Sequence, residues 1–408
     1  MKKITLIIGI LLTVNLLSAQ WIQQNPNYPD TDVLNDIFFI DHYHGWTVGG
    51  YHLHTDNSGL DWNGTWLGVL MDYGQNVFFT DEKYGWVCGG QQICHTTDGG
   101  LGIESWVPQN INLSPQQDLI SIFFIDSLNG WAYGQNGNGI QFDGDLFKTT
   151  DGGNNWELQI IHMNPLNDMY FLNESIGYCA GFTFQYTTDG GDTWNSADIN
   201  ITALSLDVID ENNIWIAGYD DNEKGIIKSS INGGLTWNKK LGDTIQPLND
   251  IIFIDSNIGW AVGDSGTILH TSDGGVTWTY QISGTTADLF SVTFVDQNYG
   301  WICGDSSIIL HTDNGGIVGI DKKLKSINKL SAFPNPAKGK VTITFELEQK
   351  ESVIFSIINS RGQEVKQIPL GIKERGQFEL DCSGFLPGIY FVNLQTDKGI
   401  LTEKLIIE

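Results

Sequence analysis

The sequence predicts an all-β protein, a seven-bladed β-propeller followed by a small immunoglobulin-like β-sandwich. Three observations carry that prediction. A 15-residue segment recurs seven times at the spacing of a four-stranded blade, a glycine-bearing hairpin follows each copy, Gly-Gly in all but the first, and the last 75 or so residues drop the repeat and reverse the charge.

The repeat opens with Asn35-Asp-Ile-Phe-Phe-Ile-Asp-His-Tyr-His-Gly-Trp-Thr-Val-Gly49 and returns at 75–89, 120–134, 167–181, 204–218, 249–263 and 290–304. Anchored on Gly45, Gly85, Gly130, Gly177, Ile214, Gly259 and Gly300, the intervals are 40, 45, 47, 37, 45 and 41 residues. The apolar run reads as the inner strand and the Gly-Trp run as the second. The third precedes the Gly-Gly turn, and the outer strand follows its Trp. In Thr149-Thr-Asp-Gly-Gly-Asn-Asn-Trp156, Thr187–Trp194 and Thr271–Trp278 the Thr and Asp side chains are placed to bond turn amides, and the glycines take φ > 0. The last turn, Thr312–Gly319, lacks Trp and outer strand, whereas Gln20-Trp21-Ile-Gln-Gln24 resembles that missing piece. The start of the chain is therefore expected to close the ring through Trp21, leaving no sheet edge exposed.

Together these hairpins resemble the Asp-box of bacterial neuraminidase repeats. The whole of 20–320 resembles the seven-bladed propellers of the photosystem II assembly/stability factor family. That resemblance implies fold more firmly than function, because propellers host many activities.

Ahead of the propeller, residues 1–19 read as a secretory signal. Lys2 and Lys3 precede the apolar stretch Ile4–Leu17, and Leu17-Ser18-Ala19 supplies a small-residue cleavage site. No later apolar run is long enough to span a bilayer. Behind the propeller, 321–332 read as a Lys-bearing linker and 333–408 as a separate domain opening at Phe333-Pro-Asn-Pro-Ala337. Its motifs, including Leu386-Pro-Gly-Ile-Tyr-Phe-Val392 and Lys404-Leu-Ile-Ile407, resemble the type A C-terminal sorting domain of the type IX secretion system. The resemblance implies passage across the outer membrane, release or tethering at the cell surface, and the secretion machinery as a partner of 333–408.

Residues 21–320 hold 37 acids against six lysines, while 321–408 hold 11 acids and 13 bases. Such an acidic body argues against nucleic acid and anionic lipid as partners. The chain's arginines, Arg361 and Arg375, both lie in the tail, so the propeller offers no guanidinium cluster to grip a sialic-acid carboxylate, which disfavours sialidase activity. Asp36, Asp168 and Asp250 share the first polar position of the inner strand and are expected to ring the channel mouth, alongside Asn76, Ser121, Ser205 and Ser291. His54, His95, His270 and His311 occupy one repeat position before the hairpin, which marks a strand face rather than a metal site. Asp220–Gly225 lacks the spacing of a calcium loop. No resident metal or cofactor is expected. Among the five cysteines, Cys88 and Cys94 flank a tight turn and are the pair able to meet; buried thiols are the reading for the others.

Long four-to-one loops and two-to-three insertions open on one face. They gather Trp66, Tyr73, Phe142, Tyr219 and Tyr280 beside Asp143, Asp145, Asp220 and Asp221 as candidate contacts for a glycan or protein. The leading expectation is a monomeric, non-enzymatic, exported module binding an extracellular protein or glycan. The alternatives are a polysaccharide-active glycoside hydrolase, which would need two facing carboxylates, and a periplasmic assembly factor.

Overall fold

The computed structural model describes residues 20–26, 32–65, 70–71, 73–136, 143–242, 246–317, 327–359, 364–396 and 399–408. The signal segment 1–19 lies outside them. The chain divides into two compact units, Met1–Ile317 and Val318–Glu408.

In the first unit every repeat is a four-stranded antiparallel sheet. Blade one pairs Leu34–Phe39, Gly45–Gly49, His52–Thr55 and Asn63–Thr65 in that order, and the same meander is built six more times. Blade seven takes Leu289–Phe294, Tyr299–Gly304 and Ile309–Asp313 from the end of the unit and its outer strand, Ile22–Gln24, from the beginning. The closing register sets Ile22 against His311 and Gln24 against Ile309. Trp21 is 2% exposed, packs edge-on against Phe294 at 5.8 Å, and donates its indole N–H to Gln281 Oε1 at 2.8 Å. The expected closure through Trp21 is therefore what the chain builds.

Neighbouring blades are joined by one recurring contact. The inner strands of six blades end in Phe39, Phe79, Phe124, Phe171, Phe253 and Phe294. On each lies a second-strand Trp from the preceding blade: Trp301, Trp46, Trp86, Trp131, Trp215 and Trp260, at 3.6–4.1 Å between ring centroids. The hairpin Trp meets the same Phe edge-on, as Trp156 does Phe124 at 5.9 Å. Each aromatic pair contributes about 0.5–1.5 kcal/mol beyond the area it buries. The second-strand indoles also donate into the next blade's hairpin, Trp46 to Gly99 O at 2.8 Å and Trp86 to Gly152 O at 3.1 Å.

The Gly of the Gly-Trp run follows from this packing. A Cβ on Gly45 would lie 2.3 Å from the Phe39 ring, and one on Gly130 would lie 2.4 Å from Phe124. Blade five replaces the set together: Val208 stands for Phe, Ile214 for Gly, and Tyr178 of blade four for the stacking Trp. Phe184 fills the remaining space against Trp237 at 5.0 Å.

In the hairpins Thr149 Oγ1 accepts the Gly153 N–H at 2.8 Å, while Asp151 Oδ1 accepts Thr149 Oγ1–H and the Asn155 N–H at 2.9 Å each. The turn chemistry read from the residues is thus satisfied internally. Cys88 and Cys94 are both buried free thiols. Cys88 pairs with Ile93 and Cys94 with Val87, which sends the two sulfurs into different clusters on opposite faces of the sheet.

The second unit is a five-stranded antiparallel assembly of Ile327–Phe333, Lys340–Asn359, Gly388–Thr396 and Gly399–Ile407, with Glu364–Asp381 along the other edge of Lys340–Asn359. The register breaks between Glu346 and Glu351. The first half of the long strand pairs with Ile327–Phe333 and the second with Gly388–Thr396. Alternate residues Val341, Ile343, Phe345, Val353, Phe355 and Ile357 turn inward onto Val392, Leu394 and Leu405, giving the sandwich core. Part of the expected linker is corrected here: from Ile327 onward it is strand, because Leu330 and Ala332 alternate onto that core.

Trp21→Ala removes both the closing ring contact and the hydrogen bond to Gln281. It is expected to cost about 3–5 kcal/mol in denaturant unfolding, and an unchanged midpoint would contradict the closure. Gly259→Ile alone should destabilise strongly. Gly259→Ile with Phe253→Val, which copies the blade-five pairing, should recover part of the loss in a double-mutant cycle.

Candidate binding site at the channel mouth

The inner strands stand side by side around the channel. Six of the seven begin with a register break just before the first inward polar residue, between Leu34 and Asp36, Leu119 and Ser121, Leu166 and Asp168, Ala203 and Ser205, Leu248 and Asp250, and Leu289 and Ser291; the blade-two strand, which starts at Asn76, pairs without one. A bulge aims a side chain away from the regular pleat and frees ladder groups. Here the freed N–H groups find partners in the neighbouring blade.

Asp36 Oδ1 accepts the Ile37 N–H at 2.9 Å and the Ser291 hydroxyl at 2.7 Å. Its Oδ2 accepts the Val77 N–H at 2.9 Å and the Asn76 amide at 2.6 Å. Asn76 passes the pattern on by accepting the Ile122 N–H at 2.8 Å. Asp168 accepts the N–H groups of Met169 at 2.8 Å and Leu206 at 2.9 Å. Asp250 accepts those of Ile251 at 2.8 Å and Val292 at 2.7 Å, and the Ser205 hydroxyl at 2.6 Å. The carboxylates of Asp36, Asp168 and Asp250 thus act as inter-blade clasps.

Burial dominates their chemistry. Desolvation pushes Asp168 and Asp250 up to about 7 against the pull of their hydrogen bonds, and each feels the negative charge of another ring carboxylate. Asp36, with four hydrogen bonds, is raised as well. Asp207, two positions further along its strand than Ser205, is a fourth such group missed by the sequence reading. Desolvation raises it to about 7, and its Oδ2 accepts the Phe253 N–H at 2.6 Å. Its repeat position holds Phe38, Phe78, Phe123 and Tyr170 in blades one to four, whose rings follow one another at 4.9–5.2 Å. The channel thus has a polar tier and, one tier deeper, a part-aromatic one.

The polar tier opens into a cavity of about 520 Å³. Asp36, Asp168 and Asp250 line it with Asn76, Ser121 and Ser205, and Val33, Ile120, Leu204 and Phe290 give it an apolar rim.

The loop-face candidates are less coherent. Trp66 and Phe142 lie outside the described residues. Asp143 and Asp145 are corrected from exposed contacts to buried ones, each 7% exposed, because the strand start folds inward; Asp143 accepts the Asn136 side-chain amide at 2.6 Å. Tyr219, Asp220 and Asp221 do meet in one blade-five connection, where Asp220 Oδ1 caps the turn by accepting the Asn222 and Lys224 N–H groups. Tyr73 is exposed, and Tyr280 sits on the outer strand Thr279–Tyr280 rather than in a loop. His95, His270 and His311 pack against Trp86, Trp260 and Trp301 as a strand face would. Among the described residues no helix is long and apolar enough to cross a membrane.

Residues 331–408 match the family model described as a secretion system C-terminal sorting domain. Residues 235–355 match that of the photosynthesis system II assembly factor YCF48, a match that runs past the last blade into the second unit. No curated protein matches the sequence. Among solved structures, YCF48 from Cyanidioschyzon merolae superposes with a TM-score of 0.58 at 20% identity, covering 72% of this chain and 98% of its own. YCF48 bound to a D1 peptide gives 0.57 at 20%, covering 72% and 97%. The WD40 propeller domain of Doa1 gives 0.54 at 12%, covering 71% and 94%. At these identities the likeness is one of fold.

The raised carboxyls bind more protons folded than unfolded between about pH 4 and 7, so their contribution to stability grows as pH falls through 7. His52, buried and held down to about 3, works in the opposite sense as pH approaches and passes below its ordinary value of 6.5, and so do His54, His95 and His270, which burial also lowers. Going from pH 8 to 6.5 should therefore stabilise the protein by about 1–2 kcal/mol. Asp168→Asn with Asp250→Asn should remove most of that gain in melts recorded at both pH values.

Proposed function

We propose that this chain is an exported, non-enzymatic propeller that binds an extracellular protein at its channel mouth and loop face. The residue 331–408 match supports type IX secretion to the cell surface or beyond, and residues 1–19 have the composition of the signal that starts that route. The observation that carries the binding reading is the state of the mouth carboxylates. Asp36, Asp168 and Asp250 spend their oxygens on backbone N–H groups of two blades at once, so a nucleophile or base drawn from them would unclasp the ring. A rigid, satisfied concave surface suits recognition. A propeller of similar fold is known with a bound peptide, YCF48 with its D1 peptide, which favours a peptide or protein ligand over a glycan.

One observation favours the glycoside hydrolase alternative. A carboxyl held at about 7, as in Asp168 and Asp250, is matched to general-acid work at neutral pH. Oligosaccharide turnover that vanishes in Asp168→Asn and Asp250→Asn would replace the binding reading with that one.

Fractionation tests the route. The full chain is expected at the surface or in the medium, and a chain lacking 331–408 is expected to stop in the periplasm. Intact full-length chain found only in the periplasm would contradict the proposal and favour a periplasmic assembly factor.

A further inference from the structure

We infer that the channel mouth receives a lysine side chain of the protein partner, stem against the apolar rim and ammonium among the ring carboxylates. The inference rests on the binding reading above and supplies its chemistry.

The cavity has two kinds of wall. Ile120, Leu204 and Phe290 each stand one residue before a ring position, and Val33 joins them on the lining. The ring itself offers three carboxylates, and no Lys or Arg is among the lining residues. An aliphatic stem ending in a cation is complementary to both walls.

One position in the ring is unfinished. Ser205 and Ser291 each donate to the carboxylate of the following blade, Asp250 at 2.6 Å and Asp36 at 2.7 Å. Ser121 holds the same place before Asp168 and makes no such bond. Asp168 is served instead by the N–H groups of Met169 and Leu206. Ser121 is 4% exposed and lines the cavity, so a nearly buried hydroxyl faces the space with its hydrogen-bonding capacity unused. That hydroxyl opens onto the cavity and is free to bond a polar guest.

The guest is an organic cation rather than a metal ion. Asp36, Asp168 and Asp250 come from blades one, four and six, and they do not bring three ligand atoms together. Among the described residues only Asp41, His44 and Glu82 do so within 4.8 Å. Most ring lone pairs are also occupied by N–H groups, which leaves a diffuse negative field instead of a coordination shell. A compact ammonium on a flexible stem uses such a field, whereas a guanidinium gains most from a free bidentate carboxylate.

The groups facing the carboxylates add no competing charge. Burial raises the thiols of Cys88, Cys179 and Cys303, which feel Asp36, Asp168 and Asp250, and keeps them neutral. Asp207 lies a tier deeper with the same sign as the ring. With Asp168 and Asp250 raised to about 7, a bound ammonium favours their ionised forms, so binding and deprotonation are linked.

The test titrates the full chain with a short end-capped peptide carrying one central lysine, and with its Nε-acetylated twin, by calorimetry at pH 6 and pH 8. The lysine peptide is expected to bind at least about tenfold more tightly than the acetylated one, and to tighten several-fold from pH 6 to 8 while lysine stays charged. Asp168→Asn with Asp250→Asn, shown folded by circular dichroism, should erase both differences; the wild-type pH comparison stands even if that variant does not fold. Equal binding of the two peptides, no binding of the lysine peptide, or affinity flat across pH would overturn the inference. A protein partner captured with equal affinity after its lysines are acetylated would remove this inference and leave the binding reading intact.

Discussion

The stack of a second-strand tryptophan on the next blade's phenylalanine is the contact on which the rest of the propeller depends. A four-stranded meander buries little on its own. Its second-strand Trp and inner-strand Phe are half of two contacts that only a neighbour completes. Trp86 on Phe124 and Trp131 on Phe171 both sit at 3.6 Å, with the Phe ring pressed so close that the facing residue is Gly. Because each blade needs a neighbour on both sides, the array is satisfied only as a closed circle. Trp301 stacking on Phe39 and Trp21 packing on Phe294 meet that demand at the seam.

Closure also fixes what the channel can be. With the inner strands held at one height, their first polar residues fall into one tier, and backbone N–H groups beside the bulges reach the carboxylates of the blade alongside, as Leu206 reaches Asp168 and Val292 reaches Asp250. The carboxylates that receive those groups are partly desolvated and stay as acceptors because the donors are backbone, supplied whatever the side chains are. On the proposed binding function, stability and recognition draw on the same atoms. The acidic body, with 37 acids against six lysines in 21–320, adds a long-range field that attracts cationic partners and repels phosphates.

Much of this was legible in the residues. Period, blade count, seam and the ring of Asp36, Asp168 and Asp250 follow from aligning the chain with itself, since residues sharing a repeat position share an environment. The same logic placed His95 and His311 on a strand face. What stayed hidden depends on contacts the repeat does not encode. Asp207 was lost because its blade departs from an otherwise largely aromatic or apolar position. Asp143 and Asp145 looked like loop decoration until a strand start carried them inward. Residues 327–332 read as linker because Lys329 and the lysines just ahead of it, Lys322, Lys323 and Lys325, mask the alternation of Leu330 and Ala332. Cys88 and Cys94 were close enough in sequence to pair, but alternation across the sheet sends their sulfurs to opposite faces.

The central claim is that the ring is one closed cooperative unit whose last strand comes from the other end of the propeller. Amide hydrogen exchange of the full chain tests it most directly. The account predicts that amides of Ile22–Gln24 engaged with Ile309–His311 exchange as slowly as those of Thr279–Tyr280, the outer strand of blade six. Exchange of Ile22–Gln24 at the rate of unstructured chain, while the remaining blades stay protected, would contradict it.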